Sequence, residues 1–274
     1  MYLDFYGLRE NPFSVTSDPS FLYLSKEHQE ALSHLLYGIK MRKGFLEITG
    51  EVGAGKTTLC KALLNQLGDN VKTAFILNTN LSETQLLEAI LEDFGIHPSP
   101  KTKISLMRHL NNFLLEELKK RSNVVLILDE AQNMKFATLE GIRLLSNLET
   151  DKEKLFQIVL VGQPELRRKL NSPTLLQLRQ RISVRFHINP LGKDEIDRYI
   201  YHRLKVAGSA GDIIFTESAL SLIYTYSGGI PRLINLVSDK SLLAGFVAEV
   251  KTVTGEMVEK SILEIEGKRI ALKV

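Results

Sequence analysis

The stretch GEVGAGKTT, residues 50–58, constrains the fold of this chain more than any other feature. It fits the pattern G-x-x-x-x-G-K-[S/T], in which glycines let successive backbone N–H groups turn inward around phosphate oxygens. A strand-like apolar run, FLEIT, precedes the stretch, and a helical apolar pattern from Lys56 to about Leu67 follows it. Strand, loop and helix in this order predict a nucleotide phosphate-binding loop at a helix N-terminus.

Each residue of this loop is a candidate phosphate contact. Lys56 would supply positive charge to the β- and γ-phosphates, and the Thr57 hydroxyl would coordinate Mg²⁺. A simple glycine turn between a strand and a helix is the alternative, which the strand–loop–helix context disfavours. The expected nucleotide contacts are Gly50, Glu51, Val52, Gly53, Ala54, Gly55, Lys56, Thr57 and Thr58.

Strand-like and helical patterns alternate over the first two thirds of the chain. Continuous apolar runs that are separated by helices favour a parallel sheet covered on both faces. We therefore predict an α/β core with a five-stranded parallel sheet flanked by helices. Ser82 and Gln85 form an S-x-x-Q capping box before one of these helices. The five strand-like runs cover residues 45–49, 73–78, 124–129, 156–162 and 183–188.

The pattern changes after the NPLG segment, residues 189–192. Helical periodicity continues, and we find no convincing strand beyond this point. The boundary therefore falls near Pro190, with an N-terminal arm and α/β core in residues 1–190 and a small helical domain in 191–267. Residues 268–274 form a short tail. The four helical patterns cover 193–206, 217–226, 231–246 and 255–265.

Composition excludes several classes of protein. No apolar run approaches the roughly 18 residues that a membrane-spanning helix needs, and the N-terminus lacks the pattern of a signal peptide. One cysteine, Cys60, excludes an internal disulfide framework and a cysteine-based zinc site. We expect a cytoplasmic protein, peripheral at the inner membrane at most. The net charge of +3, from 35 basic and 32 acidic residues, does not by itself indicate a nucleic-acid partner.

An acidic pair follows the third strand-like run, in VVLILDEAQN. Asp129 ends a buried strand, where the carboxyl edge of a parallel sheet faces a bound nucleotide, and its carboxylate suits Mg²⁺. Glu130 could accept a proton from an attacking water, which points to hydrolysis rather than to a small-molecule kinase. The alternative is an acidic start of a helix that complements the helix dipole.

Three further polar residues are candidates for contact with the γ-phosphate or the acidic pair. Gln163 ends the fourth strand-like run and could touch the γ-phosphate or orient water, although a turn residue before Pro164 is an alternative. Asn78 could hydrogen-bond Glu130. Arg232 follows Pro231 at a helix start, where a cation is disfavoured unless it faces an anion such as a phosphate.

Taken together, these motifs resemble those of the AAA+ ATPases over almost the whole chain. The resemblance assigns Walker A to residues 50–57, Walker B to 126–130, sensor 1 to Gln163 and sensor 2 to Arg232. It also implies a P-loop core with a C-terminal helical lid. In this family the segment just before the fifth core strand carries the arginine finger, and LRQRISVRFHINPL looks like that segment. Arg181 occupies the finger's usual place and Arg179 is the neighbouring candidate; surface arginines with local partners are the alternative.

A closer resemblance is to the ExeA-type (general secretion pathway component A) ATPases, carried by YGLRENPFSVTSDPSFLYL, ITGEVGAGKTT, LDEAQN and YSGGIPRLINLVSDK. It implies ATP and Mg²⁺ as ligands and a nucleotide-dependent homo-oligomer, with a hexamer as one form. It also implies coupling of ATP hydrolysis to assembly of a secretion, pilus or polysaccharide-export system through an inner-membrane or envelope protein. The N-terminal aromatic segment would cover the adenine. The family's membrane helix and wall-binding module have no recognisable counterpart within these 274 residues.

Two rival functions share the same motifs. One is a DNA-bound regulator of the transposition-target or replication-initiator type, which would use ATP as an assembly switch. Near-balanced charge and the lack of a helix-turn-helix pattern or basic tail disfavour nucleic acid as the partner. The other is a nucleotide-gated scaffold that hardly hydrolyses ATP. Such a scaffold would differ from an ATPase in its rate, and a Glu130→Gln substitution would distinguish the two.

Overall fold

The computed structural model describes residues 2–146 and 154–267. These residues form two compact units. We call residues 27–51 and 59–188 the α/β unit, and residues 2–26, 52–58 and 189–267 the helical unit. The predicted tail, 268–274, lies outside the described residues.

The α/β unit contains a five-stranded parallel sheet, as the sequence predicts. Its strand order is β2-β3-β4-β1-β5, so the first strand lies between the fourth and the fifth. In the register, Thr49 of β1 is opposite Gly162 of β4, and Leu128 of β3 is opposite Leu160 of β4. The carboxyl ends of these three strands therefore share one edge. The strands are β1 Phe45–Gly50, β2 Val71–Ile76, β3 Asn123–Leu128, β4 Gln157–Gly162 and β5 Ile182–Ile188.

Helices flank this sheet, and its inner strands β1 and β4 are buried along their whole length. Every residue of β1 and β4 is buried, which leaves each strand without a solvent-facing side. Ser82 and Gln85 form the predicted capping box, in which the Ser82 N–H donates to Gln85 Oε1 at 2.9 Å. The helices are α2 Lys26–Lys40, α3 Lys56–Gln66, α4 Glu83–Asp93, α5 Lys103–Lys119, α6 Phe136–Leu145, α7 Pro164–Leu170 and α8 Leu176–Arg181.

The helical unit has its own apolar core, formed by the N-terminal helix and four C-terminal helices. It also contains a two-residue parallel pair of strands, β6 Ile214–Phe215 and β7 Thr252–Val253. The prediction of no strand after residue 192 is therefore wrong for this pair, because two residues are too few to show an alternating pattern. The helices are α1 Tyr2–Tyr6, α9 Ile196–Val206, α10 Glu217–Ser227, α11 Pro231–Val247 and α12 Gly255–Ile265.

The N-terminal arm packs within the helical unit, whereas the predicted domain boundary places it with the α/β core in residues 1–190. The Tyr6 hydroxyl donates to the carbonyl of Leu242 at 2.9 Å, and the Tyr2 hydroxyl donates to Asp239 Oδ1 at 2.6 Å. Both acceptors lie on α11. Burial raises the pKa of Tyr6 to about 12, so its hydroxyl remains a donor at neutral pH.

Arg203 of α9 fixes the middle of this arm. Its guanidinium is buried, donates to the carbonyls of Pro12 and Ser14, and lies 4.8 Å from the centre of the Phe21 ring. A buried cation is stable only if its donors are satisfied, and here two carbonyls and an aromatic face stabilise it. The arm therefore has a fixed course on α9.

Candidate active site

Three of the predicted site segments leave the sheet at one edge. The phosphate loop follows Gly50 at the end of β1, the acidic pair follows β3, and Gln163 follows Gly162 at the end of β4. Parallel strands place all their carboxyl ends together, which is where nucleotides bind in sheets of this kind. Within the α/β unit, the topology thus brings Gln163 and the acidic pair together although they are far apart along the chain.

The segment Val52–Thr58 belongs to the helical unit. Gly53 has φ +81° and Gly55 has φ +91°, a backbone region that glycine adopts without steric cost. Helix α3 begins at Lys56, whose side chain is buried, and its first turn contains no acidic residue. The positive end of a helix dipole, a lysine and a first turn that contains no acidic residue together favour an anion.

Arg232 lies beside this loop within the helical unit. Its backbone N–H donates to the carbonyl of Gly53 at 3.3 Å, and a Cβ added to Gly53 would lie 2.5 Å from Arg232 Cβ. The start of α11 and the phosphate loop therefore approach each other closely. Because α11 begins with Pro231 and has no acidic residue in its first turn, a second helix N-terminus is directed at the same loop.

The acidic pair has an unusual backbone. Glu130 adopts the left-handed conformation, with φ 51° and ψ 36°, and its N–H donates to Asp129 Oδ1 at 2.8 Å. The Thr79 hydroxyl donates to the Glu130 carbonyl at 2.8 Å. A non-glycine residue in this region carries strain, which persists only where surrounding contacts hold it. The Asp129 side chain is buried, whereas that of Glu130 is half-buried.

Two side-chain amides bind one oxygen of the Glu130 carboxylate. Gln163 Nε2 donates to Glu130 Oε2 at 3.0 Å, and Gln132 Nε2 donates to the same oxygen. Gln132 Oε1 in turn accepts the backbone N–H of Gln163 at 3.1 Å. Gln132, Gln163 and Glu130 therefore form a closed hydrogen-bonded triangle at the edge of the sheet.

Sequence reasoning missed Gln132 and assigned its role to Asn78. Strand β2 ends at Ile76, and Asn78 Oδ1 accepts the N–H of Asn80 at 3.2 Å, so Asn78 stabilises a local turn. The hypothesis that Asn78 hydrogen-bonds Glu130 is therefore wrong in this structure. A glutamine two residues after an acidic pair at a strand end was the available signal for Gln132.

The two candidate finger arginines have different surroundings. Arg181 Nη1 donates to Ser146 Oγ at 2.8 Å and to the carbonyl of Arg143 at 3.3 Å, both at the end of α6. Arg179 is half-exposed, and its Nη1 lies 3.5 Å from Asn171 Oδ1. Among the described residues of the α/β unit, Arg181 thus contacts the C-terminal end of α6, whereas the side chain of Arg179 makes a long hydrogen bond to Asn171.

Comparison with known proteins shows which proteins this chain is similar to. Residues 39–170 match a family described as "AAA domain". The general secretion pathway protein A of Aeromonas hydrophila is 44% identical over 98% of this chain. Over nearly its whole length, this chain is therefore similar to an ExeA-type AAA+ ATPase. It spans 49% of the length of that curated relative.

Solved structures show the same fold at low identity. The ORC2 protein of Aeropyrum pernix has a TM-score of 0.70 at 18% identity, over 95% of this chain and 72% of that one. Cdc6p of Pyrobaculum aerophilum has a TM-score of 0.69 at 20% identity, over 90% and 70%. The RuvB branch migration motor of Thermotoga maritima has 0.58 at 20%, over 88% and 69%. Among residues 2–146 and 154–267, none of the helices combines the length and apolar character that crossing a bilayer requires.

Proposed function

We propose that this protein binds ATP with Mg²⁺ and hydrolyses it. The observation that carries the proposal is the Glu130 carboxylate at the carboxyl edge of the sheet, hydrogen-bonded by the Gln163 amide at 3.0 Å. The phosphate loop leaves that same edge after Gly50. A carboxylate held by hydrogen bonds at the strand ends of a sheet whose first strand leads into a phosphate-binding loop suits a general base for attack by water on the γ-phosphate.

The loop supplies the phosphate contacts in this proposal. The N–H groups of residues 50–58, the Lys56 ammonium and the N-terminus of α3 bind the β- and γ-phosphates. Arg232 adds positive charge from the start of α11 and responds to the γ-phosphate. These groups neutralise the charge that develops on the transferred phosphoryl group.

Thr57 and Asp129 have the donor chemistry that Mg²⁺ prefers, since a hydroxyl and a carboxylate are both hard oxygen ligands. In the part of the chain that the structure describes, no three His, Cys, Asp or Glu side chains cluster tightly enough to hold a metal by themselves. This suits Mg²⁺, which takes one or two protein ligands and completes its shell with water and phosphate oxygens. When bound, the ion would neutralise phosphate charge.

Glu130 accepts a proton from the attacking water as the oxygen of that water bonds to the γ-phosphorus and the bond to the β–γ bridging oxygen breaks. Gln163 orients the carboxylate and the water. Glu130 is suited to the role because its carboxylate is half-buried and the two amides that donate to it are neutral.

Hydrolysis in this proposal depends on assembly. Arg181, or its neighbour Arg179, contacts the γ-phosphate in an adjacent copy of the chain, in a homo-oligomer that forms with nucleotide. A finger supplied in trans contributes on the order of 10³–10⁵ in rate in well-studied systems. Arg181 would have to exchange its bonds to Ser146 and Arg143 for the phosphate, whereas Arg179 is the less constrained candidate.

The partner we propose is an inner-membrane or envelope protein of a secretion, pilus or polysaccharide-export system. The support for this comes from the relative in Aeromonas hydrophila, which is named for the general secretion pathway. The protein would act in the cytoplasm, and ATP binding and hydrolysis would drive assembly of that system.

ATP turnover per subunit, measured against protein concentration, tests the activity. Wild type should release phosphate at a rate that rises with concentration, and Glu130→Gln should lower turnover by at least about 100-fold while nucleotide still binds. Lys56→Ala should abolish binding. Turnover by Glu130→Gln equal to wild type would contradict the assignment, and stimulation by duplex DNA alone would favour the DNA-bound regulator.

A further inference from the structure

Helix α7 contacts the loop after the acidic pair at both of its ends. At its start, the backbone N–H of Gln163, the residue that precedes Pro164, donates to Gln132 Oε1 at 3.1 Å. In its last turn, the Lys169 ammonium donates to the carbonyls of Gln132 and Met134, the latter at 2.7 Å. We call the contacts of Gln163, Lys169 and Gln132 the α7 clamp.

The α7 clamp contacts a segment whose backbone is strained at Glu130. Glu130 is left-handed, and a 3₁₀ turn, Ala131–Asn133, follows it directly. The Gln132 carbonyl accepts from Lys169 while both ends of its side-chain amide are bonded, to Glu130 and to Gln163. Lys169 also lies 5.6 Å from the centre of the Phe136 ring, which fixes its ammonium from another side.

We propose that Gln132 and Lys169 are positioning residues for Glu130, an inference that rests on the proposed function. Gln132 donates to Glu130 Oε2 and accepts the backbone N–H of Gln163. The side-chain amides of Gln132 and Gln163 therefore donate to the same carboxylate oxygen. No hydrogen bond from a described residue of the α/β unit reaches Glu130 Oε1, which is the oxygen that accepts the proton from water. Lys169 holds the backbone of Gln132 and thereby the side chain that depends on it.

The contribution of such positioning is confined to turnover. Neither residue belongs to the phosphate loop, and both act through Glu130, so the binding of nucleotide should not depend on them. A misplacement of a reacting group by about 1 Å costs on the order of 100-fold in rate. We therefore expect a loss in kcat of about tenfold to a hundredfold, with KM unchanged within about twofold.

Steady-state ATP hydrolysis and ADP binding, measured on the whole chain at a fixed concentration, test the inference. Gln132→Met keeps the length of the side chain and removes both hydrogen bonds, and it should lower kcat while ADP affinity and melting temperature stay near wild type. Gln132→Glu keeps the acceptor for Gln163 N–H and places a negative charge against Glu130, so it should lower kcat further.

Lys169 has a matched control on the same helix. Lys169→Met should lower kcat, and Lys169→Arg, which can still donate to both carbonyls, should recover most of it. Arg168→Met removes a cation one residue away that is 75% exposed and paired with Glu165, and it should leave kcat unchanged.

The outcomes separate the clamp from the ATPase proposal. An active wild type, an inactive Glu130→Gln and a Gln132→Met variant with wild-type kcat would overturn the clamp and leave the ATPase intact. Equal losses in kcat, ADP affinity and melting temperature would show a merely structural role and also overturn it. If wild type and Glu130→Gln release phosphate at the same rate, the proposed function fails and the clamp fails with it.

Discussion

Arg181 Nη1 donates to Ser146 Oγ at 2.8 Å, and thereby joins the end of α8 to the end of α6. Ser146 Oγ also donates to the carbonyl of Arg143 at 2.7 Å, a carbonyl that Arg181 reaches at 3.3 Å. A cation at a helix C-terminus is favourable, because it satisfies terminal carbonyls and complements the dipole. Arg181, which the motif pattern predicts to contact the nucleotide of an adjacent copy, thus has local hydrogen-bond partners within its own chain.

Arg181→Ala should therefore change stability as well as turnover. The loss of the two hydrogen bonds should lower the free energy of unfolding by about 1 kcal/mol, a fall of roughly 2–4 °C in melting temperature. Arg179→Ala is the matched control and should leave the melting temperature unchanged. Calorimetry on both variants measures this difference, and equal melting temperatures would show that the contact is not stabilising.

Mixing the inactive variants tests which arginine acts in trans. Equal amounts of Arg181→Ala and Glu130→Gln should recover part of the turnover, since mixed interfaces contain one intact base and one intact arginine. When Arg179→Ala replaces Arg181→Ala in this mixture, turnover should not exceed that of Arg179→Ala itself, because we expect Arg179→Ala to be active on its own. Recovery with Arg179→Ala only, together with an inactive Arg179→Ala, would assign the finger to Arg179.

Gly53→Ala should weaken nucleotide binding at least tenfold. An alanine at this position would have to adopt φ +81°, and its Cβ would lie 2.5 Å from Arg232 Cβ. The loop and the start of α11 would therefore have to separate. Gly211, with φ +91° and no atom within 4 Å of an added Cβ, provides the control for strain alone. Titration of ADP should show normal affinity for Gly211→Ala; equally weakened binding in both variants would count against the close approach as the cause.

Arg203→Met should release the N-terminal arm and lower the free energy of unfolding by about 2–4 kcal/mol. The substitution leaves the carbonyls of Pro12 and Ser14 without their donors and removes the cation from the Phe21 ring. Arg203→Lys should also destabilise, because an ammonium cannot reproduce the planar fork. Arg198→Met, on the same helix, breaks an exposed pair with Asp194 and should cost under about 0.5 kcal/mol in denaturant unfolding.

Glu47 should make stability depend on pH. Its carboxyl is 2% exposed in β1, and burial raises its pKa although Arg185, 3.5 Å away, and Arg167 lower it. A group whose pKa is raised in the folded state contributes stability when the pH is below its pKa in the unfolded state. This contribution is lost as the pH rises through its pKa in the folded state. Glu47→Gln should therefore be more stable than wild type at pH 8, and the difference should shrink as the pH falls towards 4.5.

The control for Glu47 is Glu165→Gln, which removes a carboxylate that is 51% exposed and paired with Arg168. Its difference from wild type should be small at every pH, because water solvates the charge in both states. Chemical denaturation at several pH values measures both variants. A Glu47→Gln variant that is less stable than wild type at pH 8 would show that the pair with Arg185 outweighs burial.

Local chemistry determined what the sequence could predict. The phosphate loop, the S-x-x-Q box at Ser82 and Gln85, and the apolar strands each depend on residues within a few positions of one another. The five parallel strands follow from the alternation of apolar runs with helices, and the sheet confirms them. Strand β2 begins and ends two residues earlier than predicted, because its pairing with β3 sets its limits.

Only the tertiary structure decided which distant side chains meet. Gln132 and Gln163 are 31 positions apart, Arg181 and Ser146 are 35 apart, and Arg203 and Pro12 are 191 apart. No local periodicity encodes such pairs, since they depend on how strands and helices are arranged in space. For that reason the sequence alone proposed Glu130 as the base but named Asn78, and not Gln132, as a hydrogen-bond partner of Glu130. It also grouped the arm with the α/β core instead of with α9.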